Sequence, residues 1–196
     1  MKSLLAIGVA VLILAACSQG DNQKSSPKTD KKDVDAKYLL SKEGIGDLKI
    51  GMLQKDIEKL LDQPLAMKHA NDTGEVWADT ATAKYRDIDV ELYFQRSYVE
   101  ENSDQMELMA LSTRSPLCKT ADGLGVGDDR DAILAVYQDN PINMGPENIQ
   151  INDTTWGLSK TNYYINISDD KWDKQIIFLL VNKKIARLEA SLAMGE

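Results

Sequence analysis

Twice along this chain an alternating apolar segment runs into a glycine and then into a helix-period stripe. In the first copy Leu48 and Ile50 flank Lys49, Gly51 follows, and Ile57, Leu60 and Leu61 recur at the i, i+3, i+4 spacing of one helix face. In the second, Leu124 and Val126 flank Gly125, Gly127 follows, and Ile133, Val136 and Tyr137 recur at the same spacing. Each stripe predicts a short helix, with Lys55, Glu58 and Lys59 on the wet side of the first. Asp128 stands where it can cap the second helix, and Asp129 and Asp131 fall in its first turn, where free amides and the helix dipole favour negative charge. Gly51 and Gly127 mark the turn from extended chain into helix, a change of direction that glycine permits. Pro64 and Pro141 close the two segments.

After each stripe the period changes from helical to two. Ile88, Val90, Leu92 and Phe94 alternate with polar residues, a polar loop spans Glu100 to Gln105, and Met106 to Leu111 reads as the next strand. The second half offers Tyr163 to Ile167, Ile176 to Val181, a tight turn at Asn182-Lys183-Lys184, and Ile185 to Leu192. The expected fold class is therefore α+β. It comprises two small repeated units over 41–115 and 116–196, each a short helical segment packed on an antiparallel sheet. Two copies fit a duplication and fall short of a solenoid, which needs at least three.

The N-terminus reads as an address. Lys2 precedes an uncharged apolar run from Leu4 to Ala16, shorter than the roughly 20 residues a membrane-spanning helix needs, as in a signal peptide over 1–16. Leu14-Ala15-Ala16-Cys17 resembles the lipobox of bacterial lipoproteins. That resemblance implies cleavage before Cys17, acylation of its thiol and amino group, and anchoring in the lipid bilayer. Ser18, rather than Asp, then implies the periplasmic face of the outer membrane. The following stretch, 17–40, is expected to be a flexible tether, because Ser18 to Ala36 has only Val34 and Ala36 as apolar residues and cannot offset its ordering entropy.

The order of short strand, glycine, amphipathic helix, proline, tryptophan and hairpin resembles a superfamily. It includes the small lipoprotein that accompanies the β-barrel assembly machine and the tandem-domain β-lactamase inhibitor protein. On that resemblance Gly51 and Ile57, and Gly127 and Ile133, hold the motif that opens each helix. Trp77 takes the aromatic position of the first half and Trp156 that of the second, set two residues further from its helix motif. The segment from Thr120 to Gly127 resembles the thread between halves in two-copy lipoproteins. The superfamily implies a binding role, as assembly accessory or as inhibitor, in place of catalysis.

Composition agrees with a binder. The net charge is −8 with 31 Asp and Glu against 23 Lys and Arg, and it becomes one unit more negative once Lys2 leaves with the leader. That balance argues against a nucleic-acid partner, which requires clustered cations to displace counterions. Two Cys and one His leave few means of building a zinc site, and the Asp128, Asp129, Asp131 cluster lacks the ligand spacing of a calcium loop. No cofactor or metal is expected. His69 reads as exposed or structural, since nothing places Cys118 beside it as a nucleophile. Cys118 itself is either buried as a small hydrophobe or exposed and able to pair between chains, and Leu117 before it favours burial.

Binding residues are then sought among the aromatics. Tyr163 and Tyr164 point to opposite faces of one strand, and Trp172 is flanked by Lys171 and Asp173. These three are the candidate anchors, with packing at a sheet edge as the alternative use of each. The expected function is that of a membrane-anchored periplasmic lipoprotein, not an enzyme, that binds another envelope protein. The alternatives are a structural or ligand-binding lipoprotein contacting cell wall or outer-membrane components, and a hydrolase.

Overall fold

The computed structural model describes residues 34–69, 78–97, 99, 101, 104–152, 154–168 and 173–193. The leader, Cys17, Trp77 and Trp172 lie outside the described residues. Within them the chain is α+β. A three-residue 3-10 turn at Ala36–Tyr38 leads into β1 (Leu39–Ser41), β2 (Gly44–Ile45), β3 (Leu48–Lys49) and helix α1 (Gln54–Leu61). Strands β4 (Asp79–Tyr85), β5 (Ile88–Arg96) and β6 (Met106–Thr113) follow, then β7 (Lys119–Thr120) and helix α2 (Arg130–Val136). The chain closes with β8 (Ile142–Asn152), β9 (Thr155–Ser168), β10 (Lys174–Val181) and β11 (Lys184–Leu192).

Two sheets result. The larger has seven strands in the order β4-β5-β6-β11-β10-β9-β8, antiparallel throughout. The smaller, β3-β2-β1-β7, pairs β1 antiparallel to β2 and parallel to β7. No sheet boundary separates the halves of the sequence, because β6 and β11 pair directly, with Ser112 opposite Glu189 and Leu111 opposite Ala190. Both helices and the small sheet cover one face of the large one. One core holds Leu40, Ile45, Leu48, Ile57 and Ile133 against Leu92, Phe94, Leu108, Phe178 and Leu188.

Local chemistry explains where the elements stop. Helix α1 ends at Asp62, whose left-handed φ of 52° lets its N–H reach the Glu58 and Lys59 carbonyls. The Glu58 carboxylate accepts from Gln54 Nε2 at 2.8 Å and from the Leu65 N–H at 3.1 Å, which holds the exiting chain and lowers the carboxyl's pKa, the Gln54 bond most. The turn between β10 and β11 places Asn182 and Lys183 at φ 51° and 67°, the backbone pair that a two-residue hairpin with matched twist demands.

Several expectations need correcting. Ile57 and Ile133 are fully buried, but Leu60 is exposed and Leu61 only half-buried. A helix of two turns meets the core along one narrow line, so Leu60 falls outside it and Leu61 packs only against its margin. Asp128 does not cap α2; its Oδ2 accepts the Gly125 N–H at 2.7 Å, while Asp129 occupies the cap position without a side-chain bond and pairs instead with Lys184 at 3.0 Å. The body also begins before residue 41. Tyr38 and Leu40 are core residues, and Tyr38 donates its hydroxyl to Asp87.

Candidate interaction surface

The face of the large sheet turned away from the helices carries one polar cluster at the seam between the halves. Ser112 is the Cα partner of Glu91 on one side and of Glu189 on the other. Arg187 reaches both carboxylates, at 3.7 Å for Glu91 and 3.8 Å for Glu189, and Tyr93 donates to Glu91 at 3.0 Å. Burial pushes the Glu189 carboxyl up, Arg187 opposes the shift and Glu91 adds to it. Burial likewise raises the Tyr93 phenol. Beside the cluster a hollow of about 390 Å³ is walled by Asp87, Asp89, Glu91 and Arg114. Its carboxylates are engaged: Asp87 by Tyr38, Asp89 by Lys84 at 3.2 Å, Glu91 by the cluster. This is a seam closed by paired charge, which adds little to stability and presents no unengaged carboxylate in the hollow's wall.

The opposite edge is built differently. Strand β9 runs for 14 residues but pairs with β10 only from Asn162 to Ser168. Past one last bond from the Asn182 N–H to the Thr161 carbonyl, β8 and β9 pair among the described residues with each other alone, Asn148 with Leu158, Ile149 with Gly157 and Gln150 with Trp156, so they form a two-stranded arm past the end of the sheet. Ser159 Oγ accepts from the Thr161 and Asn162 N–H groups at 3.2 and 2.9 Å, and the register shifts between Pro146 and Asn148 at the same place. The extra residues of this bulge turn the arm out of the sheet. Gly157 lets Ile151 lie across it, since an added Cβ would stand 2.6 Å from Ile151 Cδ1.

Exposed apolar side chains concentrate here. Met144, Ile151, Trp156, Leu158 and Tyr163 all lie on β8 or β9, with relative exposures between 42% and 65%. Trp156 and Leu158, two residues apart, share one side of the arm. Isolated two-stranded ribbons are marginal in water, and several large apolar side chains left exposed on one ribbon mark a place where something else packs.

Of the anticipated binding residues, Tyr163 and Tyr164 lie on β9 at the base of this arm, with Tyr163 the exposed one. Trp172 lies outside the described residues. The four motif residues are scaffold: Ile57 and Ile133 are fully buried, and Gly51 and Gly127 take φ values of +91° and +96°. His69 is exposed and pairs with Asp79 at 2.8 Å. Cys118 is buried, and that burial pushes its thiol up to about 12. Sequence reasoning passed over Trp156, Leu158, Met144 and Ile151 as contact residues. One signal was available: from Ile142 to Ser168 only Glu147, Asp153 and Lys160 are charged, in a chain that is 28% charged overall. No protein-family model, curated protein or solved structure matches this chain.

Proposed function

We propose that this protein is a lipid-anchored envelope lipoprotein, not an enzyme, that docks another envelope protein through the arm formed by β8 and β9. The observation that carries the reading is the set of large apolar side chains exposed on these two strands, Ile151, Trp156 and Leu158 on the arm itself and Met144 and Tyr163 at its base. Trp and Tyr are the residue types on which interfaces concentrate energy, and a protruding ribbon can enter a concavity on a partner. The leader and Leu14-Ala15-Ala16-Cys17 support attachment at the periplasmic face of the outer membrane, with acylated Cys17 in the bilayer.

The same reading takes the body as two copies of one α+β unit, as in the superfamily its motifs resemble. Supporting it, the backbone at each helix entry is tied to the last strand of its own half by the same pair of bonds. Gly51 N–H and Met52 C=O bond Leu108, and Gly127 N–H and Asp128 C=O bond Ile185. The test is affinity capture of the intact lipidated protein from its own envelope, comparing the native chain with Trp156→Ala and Leu158→Ala. A captured envelope protein whose recovery falls in both variants supports the proposal, and recovery unchanged in both overturns it.

A further inference from the structure

At the base of the arm, on the sheet face that carries the helices, a cup of about 200 Å³ opens beside β8. Met144, Tyr163, Ile165 and Leu180 form its apolar lining, and Arg130 and Lys183 supply its polar wall. Cα pairing places Met144 opposite Ile165 and Tyr163 opposite Leu180, so neighbouring strands bring these side chains together. The space is below the usual range for a cofactor or drug-sized ligand and matches one large apolar side chain.

Its charge runs against that of the chain. Acids outnumber bases by 31 to 23, yet no carboxylate lines the cup. Lys183 is held in place by the left-handed turn between β10 and β11, and it makes no ion pair among the described residues. The backbone N–H of Arg130 bonds the Lys183 carbonyl at 2.9 Å, which fixes the start of α2 against that turn. The Arg130 guanidinium forks onto Asp131 through Nε and Nη2 at 3.0 and 2.9 Å, leaving Nη1 outside the fork. The anions nearby are otherwise engaged: Asp128 accepts from the Gly125 N–H, Asp129 pairs with Lys184, and Glu147 accepts from Asn162 Nδ2 at 3.0 Å.

The neighbouring backbone sets the shape of what can enter. Strand β8 ends the order of the large sheet, so its outer edge is unpaired among the described residues. A strand laid along that edge puts every second side chain on the face of Met144, above the cup. Pro146, which has no N–H to donate, limits the pairing to the stretch before it.

We infer that this cup receives an apolar side chain from a short extended segment of the docked protein, with a carboxylate two residues away, and so on the same face of that segment, meeting Lys183 and Arg130. The inference rests on the docking proposal and supplies its partner's chemistry. It also reverses the simplest expectation from net charge, that an acidic protein seeks a basic partner.

The test uses the full mature lipidated chain in detergent micelles and the blocked peptide acetyl-Thr-Glu-Thr-Leu-Thr-Glu-Thr-amide, which puts Leu and both Glu on one face in either strand direction, with versions carrying Gln or Lys in place of both Glu. The Glu peptide should bind at least tenfold more tightly than the Lys peptide, with Gln between. Lys183→Glu should invert that order, Arg130→Gln should compress it, and Tyr163→Ala should weaken all three peptides by a similar factor. Equal affinities, tighter binding of the Lys peptide, or no binding of any peptide overturns the inference. If the order is flat while Trp156→Ala still abolishes envelope capture, the cup assignment fails and the arm proposal stands. Sedimentation of the chain alone decides the remaining occupant: a dimer that Lys183→Glu dissociates makes a second copy the occupant and overturns the assignment.

Discussion

Gly51 and Gly127 occupy the same station in the two halves of the molecule. Their φ angles are +91° and +96°, and their N–H groups donate to the buried residues Leu108 and Ile185 at 2.8 and 2.9 Å. Each therefore turns the chain toward a helix while tying it to a strand of the large sheet. No contact within 4 Å would obstruct a Cβ at Gly127, and at Gly51 the nearest atom is Glu107 Oε1 at 3.6 Å. Replacement by alanine thus tests backbone strain almost alone. Gly51→Ala and Gly127→Ala should each lower stability by about 1–3 kcal/mol, read from urea unfolding at unchanged m-value.

Ile57 and Ile133 are each the one fully buried residue of their helix, while Leu60 stands in water. Ile57→Ala and Ile133→Ala should each cost about 2–5 kcal/mol by lost transfer energy and an unfilled cavity. Leu60→Ala should stay within about 0.5 kcal/mol. Equal effects at Ile57 and Leu60 would contradict the way α1 is seated.

The buried Cys118 thiol links stability to alkaline pH. Burial pushes its folded pKa up to about 12, above the ordinary thiol value of 9.0. The folded state therefore keeps a proton that the unfolded chain gives up, and stability falls as pH rises between those limits by about 1.4 kcal/mol per unit. Relative to Cys118→Ala, the native chain should lose ground across that window and show a constant difference below pH 8. The native thiol should also resist alkylating reagents until urea unfolds the chain.

On the arm, Trp156→Ala or Leu158→Ala should reduce capture of the docked protein by at least about tenfold, equivalent to 1.4 kcal/mol, with thermal unfolding nearly unchanged. Gly157→Val should do the same by a different route, because its side chain collides with Ile151 and disturbs the ribbon. A loss of capture matched by a loss of overall stability would place these residues in the fold rather than at an interface.

For the anchor, the mature N-terminal peptide should begin at Cys17 and carry acyl mass. Cys17→Ser should stall processing or release the protein from the membrane. An unmodified N-terminus beyond Cys17 in membrane-derived protein would contradict the anchor while leaving the arm proposal intact.

What the sequence determined by itself is local. The helix-period stripes beginning at Ile57 and Ile133, the glycines before them, the alternation from Ile88 to Phe94 and the Asn182-Lys183 turn all rest on spacing within a few residues. At that range apolar periodicity and backbone preference decide conformation. What tertiary structure decided is non-local. Nothing near Ser112 says that Glu189 will pair beside it, or that β1 will join β7, because such pairings are selected by the whole sheet at once. Leu40, read as the end of a tether, becomes core only because β1 pairs with β2 and β7, opposite Ile45 and Thr120, and so joins the one cluster. Strand β8 escaped notice since Gly145, Pro146 and a bulge interrupt its alternation. The exposure of Trp156 and Leu158 depends on where β10 stops, and no residue of the arm encodes that end.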